Sequence, residues 1–341
     1  MTPWMLLLAV LAFAVAAFLT RRFCDPDSRL HLLDHPNERS LHTLPTPRTG
    51  GIAILAGIFS AIPVWLFTMG GDSSIVWLVI GTALIAGLSF LDDRRGLPVV
   101  VRFFGHMVGA CLVVLGAGFT LPTLFPGLPV VWPAWMGLGL STLFLVWMVN
   151  LYNFMDGMDG FAGGMTLIGF GTFALLGLYA GNLPFASLSL AIAAAAGGFL
   201  VHNFPPARIF MGDSGSAALG LLSGGLSLWG SQEGIFPFWT ALLVFSPFIV
   251  DASVTLVRRL SRGERVWQAH KSHYYQRLVQ SGWGHRKTVL YEYVLMLACG
   301  LSALVARYMD TQGQIMLIIF WCIVYTLLIS GVHVLEKKMD T

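Results

Sequence analysis

Stretches of almost unbroken apolar residues alternate with short polar segments along the whole chain. Eleven such stretches stand out, at 3–20, 50–69, 75–91, 101–119, 133–152, 160–179, 184–202, 212–230, 236–257, 289–307 and 314–333. A helix that crosses a bilayer needs about 20 apolar residues. Lipid-exposed backbone must also satisfy its own hydrogen bonds, which excludes irregular spans. The pattern therefore predicts an all-α polytopic integral membrane protein with about eleven transmembrane helices. Gly- and Ala-rich runs within these stretches suit close helix packing. No internal repeat or low-complexity linker is visible, so 1–341 is expected to be a single multi-span domain.

Threading the chain through eleven spans puts its loops on two sides. One side holds 21–49, 92–100, 153–159, 203–211, 258–288 and the tail after 333. With the helix ends that open on it, this side carries 19 of the 20 Lys and Arg residues, leaving only Arg307 toward the other. The positive-inside rule makes the basic side cytoplasmic, which places the N-terminus outside and the C-terminus in the cytoplasm. No basic residue precedes the first stretch, and Arg21 and Arg22 follow it, so it reads as a retained helix rather than a cleaved leader.

Composition agrees with the pattern: 56% of residues are hydrophobic and 11% charged, against about 25% charged in soluble domains. The net charge of +3 forms no basic stripe on a polar domain, so no nucleic-acid partner is expected. Cys24, Cys111, Cys299 and Cys322 make no CxxC or Cys/His cluster, which argues against a zinc site or disulfide framework.

The acidic residues are less expected, because most of them share the basic side. Asp92, Asp93, Asp156, Asp159, Asp213 and Asp251 lie at or near span ends, and a carboxylate beside hydrocarbon is a functional hypothesis by default. Five segments carry the chemistry. In Leu91-Asp92-Asp93-Arg94-Arg95-Gly96 the paired carboxylates suit a hydrated cation or a base, although an ordinary charged turn has the same composition. In Asn150-Leu-Tyr-Asn153-Phe-Met-Asp156-Gly157-Met-Asp159-Gly160, residues 150, 153 and 156 would share a broad helix face and suggest a hard-cation or polar-ligand site. Phe210-Met211-Gly212-Asp213-Ser214-Gly215-Ser216 opens a span whose N-terminal amides suit an anion, or simply cap a helix. The basic, aromatic loop Ala269-His270-Lys271-Ser272-His273-Tyr274-Tyr275-Gln276-Arg277-Leu278 suits a diphosphate and a base, or anionic lipid. In Pro45-Thr46-Pro47-Arg48-Thr49-Gly50-Gly51, a stiff approach ends in two glycines, and Arg48 is placed to hold a phosphate. Asp251 is open between support of the site and pairing with Arg258.

In this order, from about Arg39 to Leu278, the five segments resemble the polyprenyl-phosphate N-acetylhexosamine-1-phosphate transferases, a glycosyltransferase family 4 type. The resemblance implies a Mg²⁺-dependent enzyme, with Mn²⁺ able to substitute, in the bacterial inner (cytoplasmic) membrane and with its site facing the cytoplasm. Asn153 and Asp213 match the metal ligands. Asp92 and Asp93 match the carboxylate pair that engages the lipid phosphate, and Asp156 joins them as a catalytic candidate. Asp159 and Phe210 match uracil contacts, while His270 and His273 match the histidine loop near the donor phosphates. Arg48, Lys271 and Arg277 complete the expected substrate contacts. The implied substrates are a UDP-N-acetyl sugar and undecaprenyl phosphate, with UMP released, and a homodimer is an expected assembly. The muramoyl-pentapeptide branch resembles three consecutive histidines, where this chain has His270-Lys271-Ser272-His273. That difference favours the branch that initiates surface polysaccharides such as O-antigen, transferring an N-acetylhexosamine or deoxy N-acetyl sugar phosphate. The pentapeptide transferase remains an alternative within the family, and a secondary transporter remains one outside it.

Overall fold

The computed structural model describes residues 2–36, 40–70, 73–121, 124, 126, 132–265 and 270–339. Arg39 and Ala269, used above in the charge count and the loop motif, lie outside the described residues.

Helices account for nearly every apolar stretch: α1 (Pro3–Phe23), α2 (Gly50–Met69), α3 (Ser73–Arg95), α4 (Val99–Ala117), α5 (Ala134–Phe154), α6 (Phe161–Tyr179), α7 (Leu183–Asn203) and α8 (Asp213–Gln232). The chain continues through α9 (Phe238–Val244), α10 (Ser246–Ser261), the short α11 (Tyr274–Leu278), α12 (Gly284–Ala306) and α13 (Thr311–Met339). Local chemistry sets several ends. Thr2 caps α1 by accepting from Met5 N, and Asn182 caps α7 by accepting from Phe185 N at 3.0 Å, each just ahead of a proline in the first turn. Arg21 and Arg22 close α1, where the helix dipole favours cations.

Among the described residues, nine helical segments are long and apolar enough to cross a membrane, and α9 with α10 makes a tenth candidate bent by 81°. The bent pair traverses the bundle once. Near its start, Trp239 Nε1 donates to Gln314 at the beginning of α13, and toward its end Asp251 accepts from the backbone of Tyr274 and Tyr275. The remaining stretch, α8, falls short on hydropathy because serine and glycine recur along it. It has no need of lipid compatibility: every residue from Ser214 to Gly230 is buried, and α8 packs between α3 and α5. The eleven expected spans are thus eleven helical passes, one bent and one sheathed in protein. The chain is a multi-pass membrane protein.

Around α8, the neighbours pack in the order α3 with α4, α1 with α2 and α7, and α6 with α7 and α12. The alternation brings the C-terminal ends of α3 and α5 and the N-terminal ends of α2, α4, α8 and α12 to one end of the bundle. A strap covers that end. Its two short strands, β1 (Leu33–Asp34) and β2 (Thr46–Pro47), pair antiparallel with Leu33 opposite Pro47 and Asp34 opposite Thr46.

Candidate active site

The strap and the start of α8 are tied together by backbone. Phe210 N donates to Pro47 O (2.7 Å), Gly50 N to Phe210 O (2.9 Å) and Gly51 N to Met211 O (2.8 Å). Two segments 160 residues apart in sequence, by the difference between 51 and 211, therefore form one ladder. The ladder needs glycine where it does. A Cβ on Gly51 would collide with the backbone of Gly215, and Gly212 adopts φ +76 with Arg48 O against it. This close approach sets Arg48 beside Asp213.

Two cavities meet at that point. The first, about 190 Å³, is lined by Asp34, His42, Arg48, Asp93, Asp156, Asp159, Phe210 and Asp213, with His285 at its edge. It continues into an open hollow that shares Leu41, His42, Asp159, Phe210 and His285. The second, about 370 Å³, takes Asp92, Arg102, His106, Asn150, Asn153, His270 and His273 as its polar lining and Val99, Phe103, Phe154 and Ala217 as its apolar wall. Val99 and Phe103 are 50% and 46% exposed, so this cavity opens on the outer, lipid-facing surface of the bundle. Among the described residues, Asp213 alone lines both.

The adjacent carboxylates Asp92 and Asp93 part company here. Asp92 turns to the second cavity, where it accepts from Arg102 Nη1 (2.9 Å) and Leu97 N (2.6 Å). Asp93 turns to the first, where Arg48 Nη1 lies 3.8 Å from its Oδ1 and Ser214 N donates to its Oδ2 at 3.3 Å. Arg48 also donates to the Asp93 carbonyl. Arg94, a candidate local partner, lies instead over the Phe90 ring at 4.5 Å.

Helix α5 ends at Phe154, so Asp156 does not continue the face of Asn150 and Asn153 as its spacing suggested. Asn150 donates to Val146 O (2.7 Å) and Asn153 to Ser216 Oγ (3.1 Å), both beside the second cavity. Asp156 stands beyond the helix, buried against the first. Burial, followed by the neighbouring Asp213 and Asp93 charges, raises its carboxyl well above the usual range, while the Gly212 N–H pulls the other way. The amides at the start of α8 are thus turned to Asp93 and Asp156, not left open for a phosphate, which corrects the expectation drawn from the helix N-terminus.

Of the uracil-contact candidates, Phe210 packs under the His42 ring, with centroids 4.8 Å apart. Asp159 accepts from Ala207 N (2.9 Å) and lies 3.0 Å from His285 Nδ1. His270 and His273 lie side by side, ring centroids 4.8 Å apart, and line the second cavity with Asp92 and Arg102, apart from the uracil-contact candidates in the first. Burial first, then the neighbouring His273 and Arg259, lowers the His270 imidazole to about 4, so it is neutral at ordinary pH.

Two expected contacts are not brought to the site. The Arg277 guanidinium is held by Glu336 of α13, with Nε 2.5 Å from Oε1, and lies 4.6 Å from the Tyr274 ring centroid. Lys271 is exposed and lines neither cavity. Conversely, Asp34, His42, Arg102 and His285 are site residues that motif reading passed over. Asp34, His42 and His285 lie inside the expected loops and Arg102 at the start of the expected span 101–119, but nothing in their spacing marked them.

Mg²⁺ takes one or two carboxylates plus waters and substrate phosphates, seldom an all-protein cage. Among the described residues, no group of three or more His, Cys, Asp or Glu is set to hold a metal unaided. The donor chemistry nonetheless fits such a partly solvated ion. Asp92, Asp93, Asp156 and Asp213 interact electrostatically at the cavity junction, with the Arg48 and Arg102 guanidinium groups close enough to offset part of their charge. The Asn153 side chain hydrogen-bonds to Asp213 there.

The match to known proteins covers the same ground. Residues 75–231 fit the model for "Glycosyl transferase family 4". A Bacillus subtilis protein named probable undecaprenyl-phosphate N-acetylglucosaminyl 1-phosphate transferase is 31% identical, over 89% of this chain and 85% of its own length. The chain belongs to glycosyl transferase family 4. A Mycobacterium leprae member, decaprenyl-phosphate N-acetylglucosaminephosphotransferase, is 32% identical over 85% of this chain and 81% of its own. A Listeria monocytogenes member, phospho-N-acetylmuramoyl-pentapeptide-transferase, is 29% identical over 72% and 79%. The family-4 match spans Asp92, Asp93, Asn153, Asp156, Asp159, Phe210 and Asp213, while Arg48 and the histidine loop lie outside that segment.

Proposed function

We propose that this protein transfers N-acetylglucosamine-1-phosphate, or a related N-acetyl sugar-1-phosphate, from a UDP-sugar to a polyprenyl phosphate such as undecaprenyl phosphate. UMP leaves, and the lipid-linked sugar starts a surface polysaccharide. The site faces the cytoplasm and uses Mg²⁺. The observation that carries this reading is the pair of cavities sharing Asp213: one is polar and roofed by the strap, the other is walled by apolar residues and open toward lipid. A water-soluble donor and a membrane-bound acceptor need that arrangement.

The bond chemistry is a phosphate attacking a phosphate. An oxygen of the lipid phosphate bonds to the β-phosphorus of the donor, and the bridging bond to the α-phosphate breaks. Both reactants are anions, so the protein's task is mainly positioning and charge compensation. Arg48 holds the donor phosphates at the first cavity. Phe210, His42 and Asp159 bracket the nucleobase in the hollow beside it. Arg102 receives the lipid phosphate at the second cavity, where Asp92 orients its guanidinium. Mg²⁺, held by Asp213 and Asn153, would neutralise the charge on the reacting phosphates.

The pentapeptide-transferase alternative is disfavoured by the spacing of His270 and His273. A transporter would place its carboxylates near the bilayer midplane, whereas these gather at one end of the bundle. The test is UMP release by purified protein with undecaprenyl phosphate, Mg²⁺ and a panel of UDP-N-acetyl sugars. Mg²⁺-dependent release with one sugar supports the reading and names the donor. No release from any donor by folded protein, beside an active control enzyme, would sink it.

A further inference from the structure

Asp251 lies in α10, well outside the motif segments, yet four donors converge on its buried carboxyl. Oδ1 receives Tyr274 N (3.0 Å) and Thr255 Oγ1 (3.1 Å), and Oδ2 receives Tyr275 N (3.0 Å). The fourth contact is His273 Nδ1, 3.1 Å from Oδ1. Arg258, the sequence-adjacent candidate, is engaged elsewhere, donating to Ser272 O at 2.7 Å. Two backbone N–H groups can only donate, one to each oxygen, so the carboxyl acts as an acceptor at both and His273 Nδ1 carries the hydrogen. The ring also lies near-parallel to Tyr275 (17°, centroids 5.8 Å apart) and to Phe154 (29°, 6.4 Å).

His270 is fixed in the opposite sense. Its Nδ1 faces Ser272 N at 3.3 Å and Ser272 Oγ at 2.9 Å. A backbone N–H only donates, so Nδ1 accepts and the hydrogen of the neutral ring sits on Nε2. Both rings line the second cavity, and among the described residues neither Nε2 has a protein partner.

We propose that Asp251 is a positioning residue that locks His273 as the Nδ1–H tautomer, presenting a bare Nε2 to the acceptor cavity beside an Nε2–H from His270. One histidine then accepts a hydrogen bond from the lipid-side phosphate while its neighbour donates one. Two adjacent imidazoles of the same tautomer would offer that phosphate only one kind of contact. A carboxylate that fixes a histidine by its far nitrogen does the same elsewhere, where its loss selects the wrong tautomer. The kinetic part of the inference rests on the transferase reading, but the tautomer assignment does not.

The test therefore has two readouts on the full-length protein in nanodiscs. In ¹⁵N-histidine spectra, the signal lost in His273→Gln should show a protonated Nδ1 and a bare Nε2, and Asp251→Asn should shift that signal toward the other tautomer. A wild-type Nε2–H tautomer at His273 would overturn the proposal whatever the activity. In the UMP assay, Asp251→Asn should lower kcat roughly 10–100-fold with little change in donor KM, and Asp251→Glu should recover part of the loss. In a His273→Gln background the same substitution should cost little further. An undiminished loss in that background would mean that Asp251 only anchors α11. If the wild-type protein releases no UMP while the spectra match, the transferase reading fails and the positioning role stands.

Discussion

The two cavities divide the labour of one site through different materials. The first cavity is built mainly from loops: the strap contributes Asp34, His42 and Arg48, and the turns around α6 and α8 contribute Asp156, Asp159 and Phe210. Its titratable groups are mostly carboxylates, and Asp156 is pushed toward its neutral form. The second cavity is walled by helices, with α4, α5 and α8 supplying its apolar residues and α4 supplying Arg102, while His270 and His273 reach it from the loop before α11. Its titratable centre is a pair of imidazoles, one of them pushed toward neutrality from the opposite direction. A membrane substrate has to be guided along a rigid, greasy surface, while a soluble one has to be gripped by polar atoms that loops can place at any angle. The difference in construction is what the proposed pair of substrates requires.

That division can be broken in order of expected effect. Asp213→Asn strikes the shared wall and should reduce UMP release on the order of 10³-fold or more, at saturating levels of both substrates. A milder loss expressed only in one KM would mean that the two cavities are independent. Arg48→Ala and Arg102→Ala should separate the sides, because each removes a charge-assisted contact of about 1.5–3 kcal/mol. Arg48→Ala should raise the donor KM roughly 10–100-fold and leave the lipid KM in place, and Arg102→Ala should do the reverse. Equal shifts in the same KM would collapse the distinction.

Acidification gives a gentler probe. The His270 pKa falls from the ordinary 6.5 to about 4 in the folded protein, so the unfolded chain takes up a proton that the folded one refuses. Its contribution to stability is therefore intact above 6.5 and declines as pH falls from 6.5 toward 4. The denaturation midpoint should drop between pH 7 and pH 5, and drop less in His270→Gln. Smallest of all, Arg277→Ala should change neither KM more than about twofold, since its partner is Glu336 and a partly exposed pair contributes only about 0–1 kcal/mol.

What the sequence disclosed followed from what is local. Apolar runs announced the helices because the bilayer enforces their length, and α8 was legible as a run although serine and glycine put it below the hydropathy of a true span. The carboxylates betrayed themselves by sitting where carboxylates are costly. Partnerships across the fold stayed hidden. Nothing near Asp92 indicated that Arg102 would hold it in preference to Arg94 or Arg95. Nothing around Arg277 pointed to Glu336, 59 residues on. The end of α5 at Phe154 separated Asp156 from Asn150 and Asn153, a break that periodicity alone does not reveal. His285 reached Asp159 only because α12 folds back over the loop after α5, a consequence of topology with no local sign.

The glycine crossing of α2 and α8 has a further consequence for how such a site diversifies. The crossing behind the site is backbone against backbone, at Gly51 and Gly215, and any side chain introduced there meets main-chain atoms. Selection for a new sugar therefore has little room to work at that crossing. It has more room on the strap, where Ser40, Leu41, Thr43 and Leu44 line the opening with side chains rather than backbone. Swapping that strap between relatives, with the crossing kept, is the economical route to changing which sugar is carried while preserving the machinery that moves it.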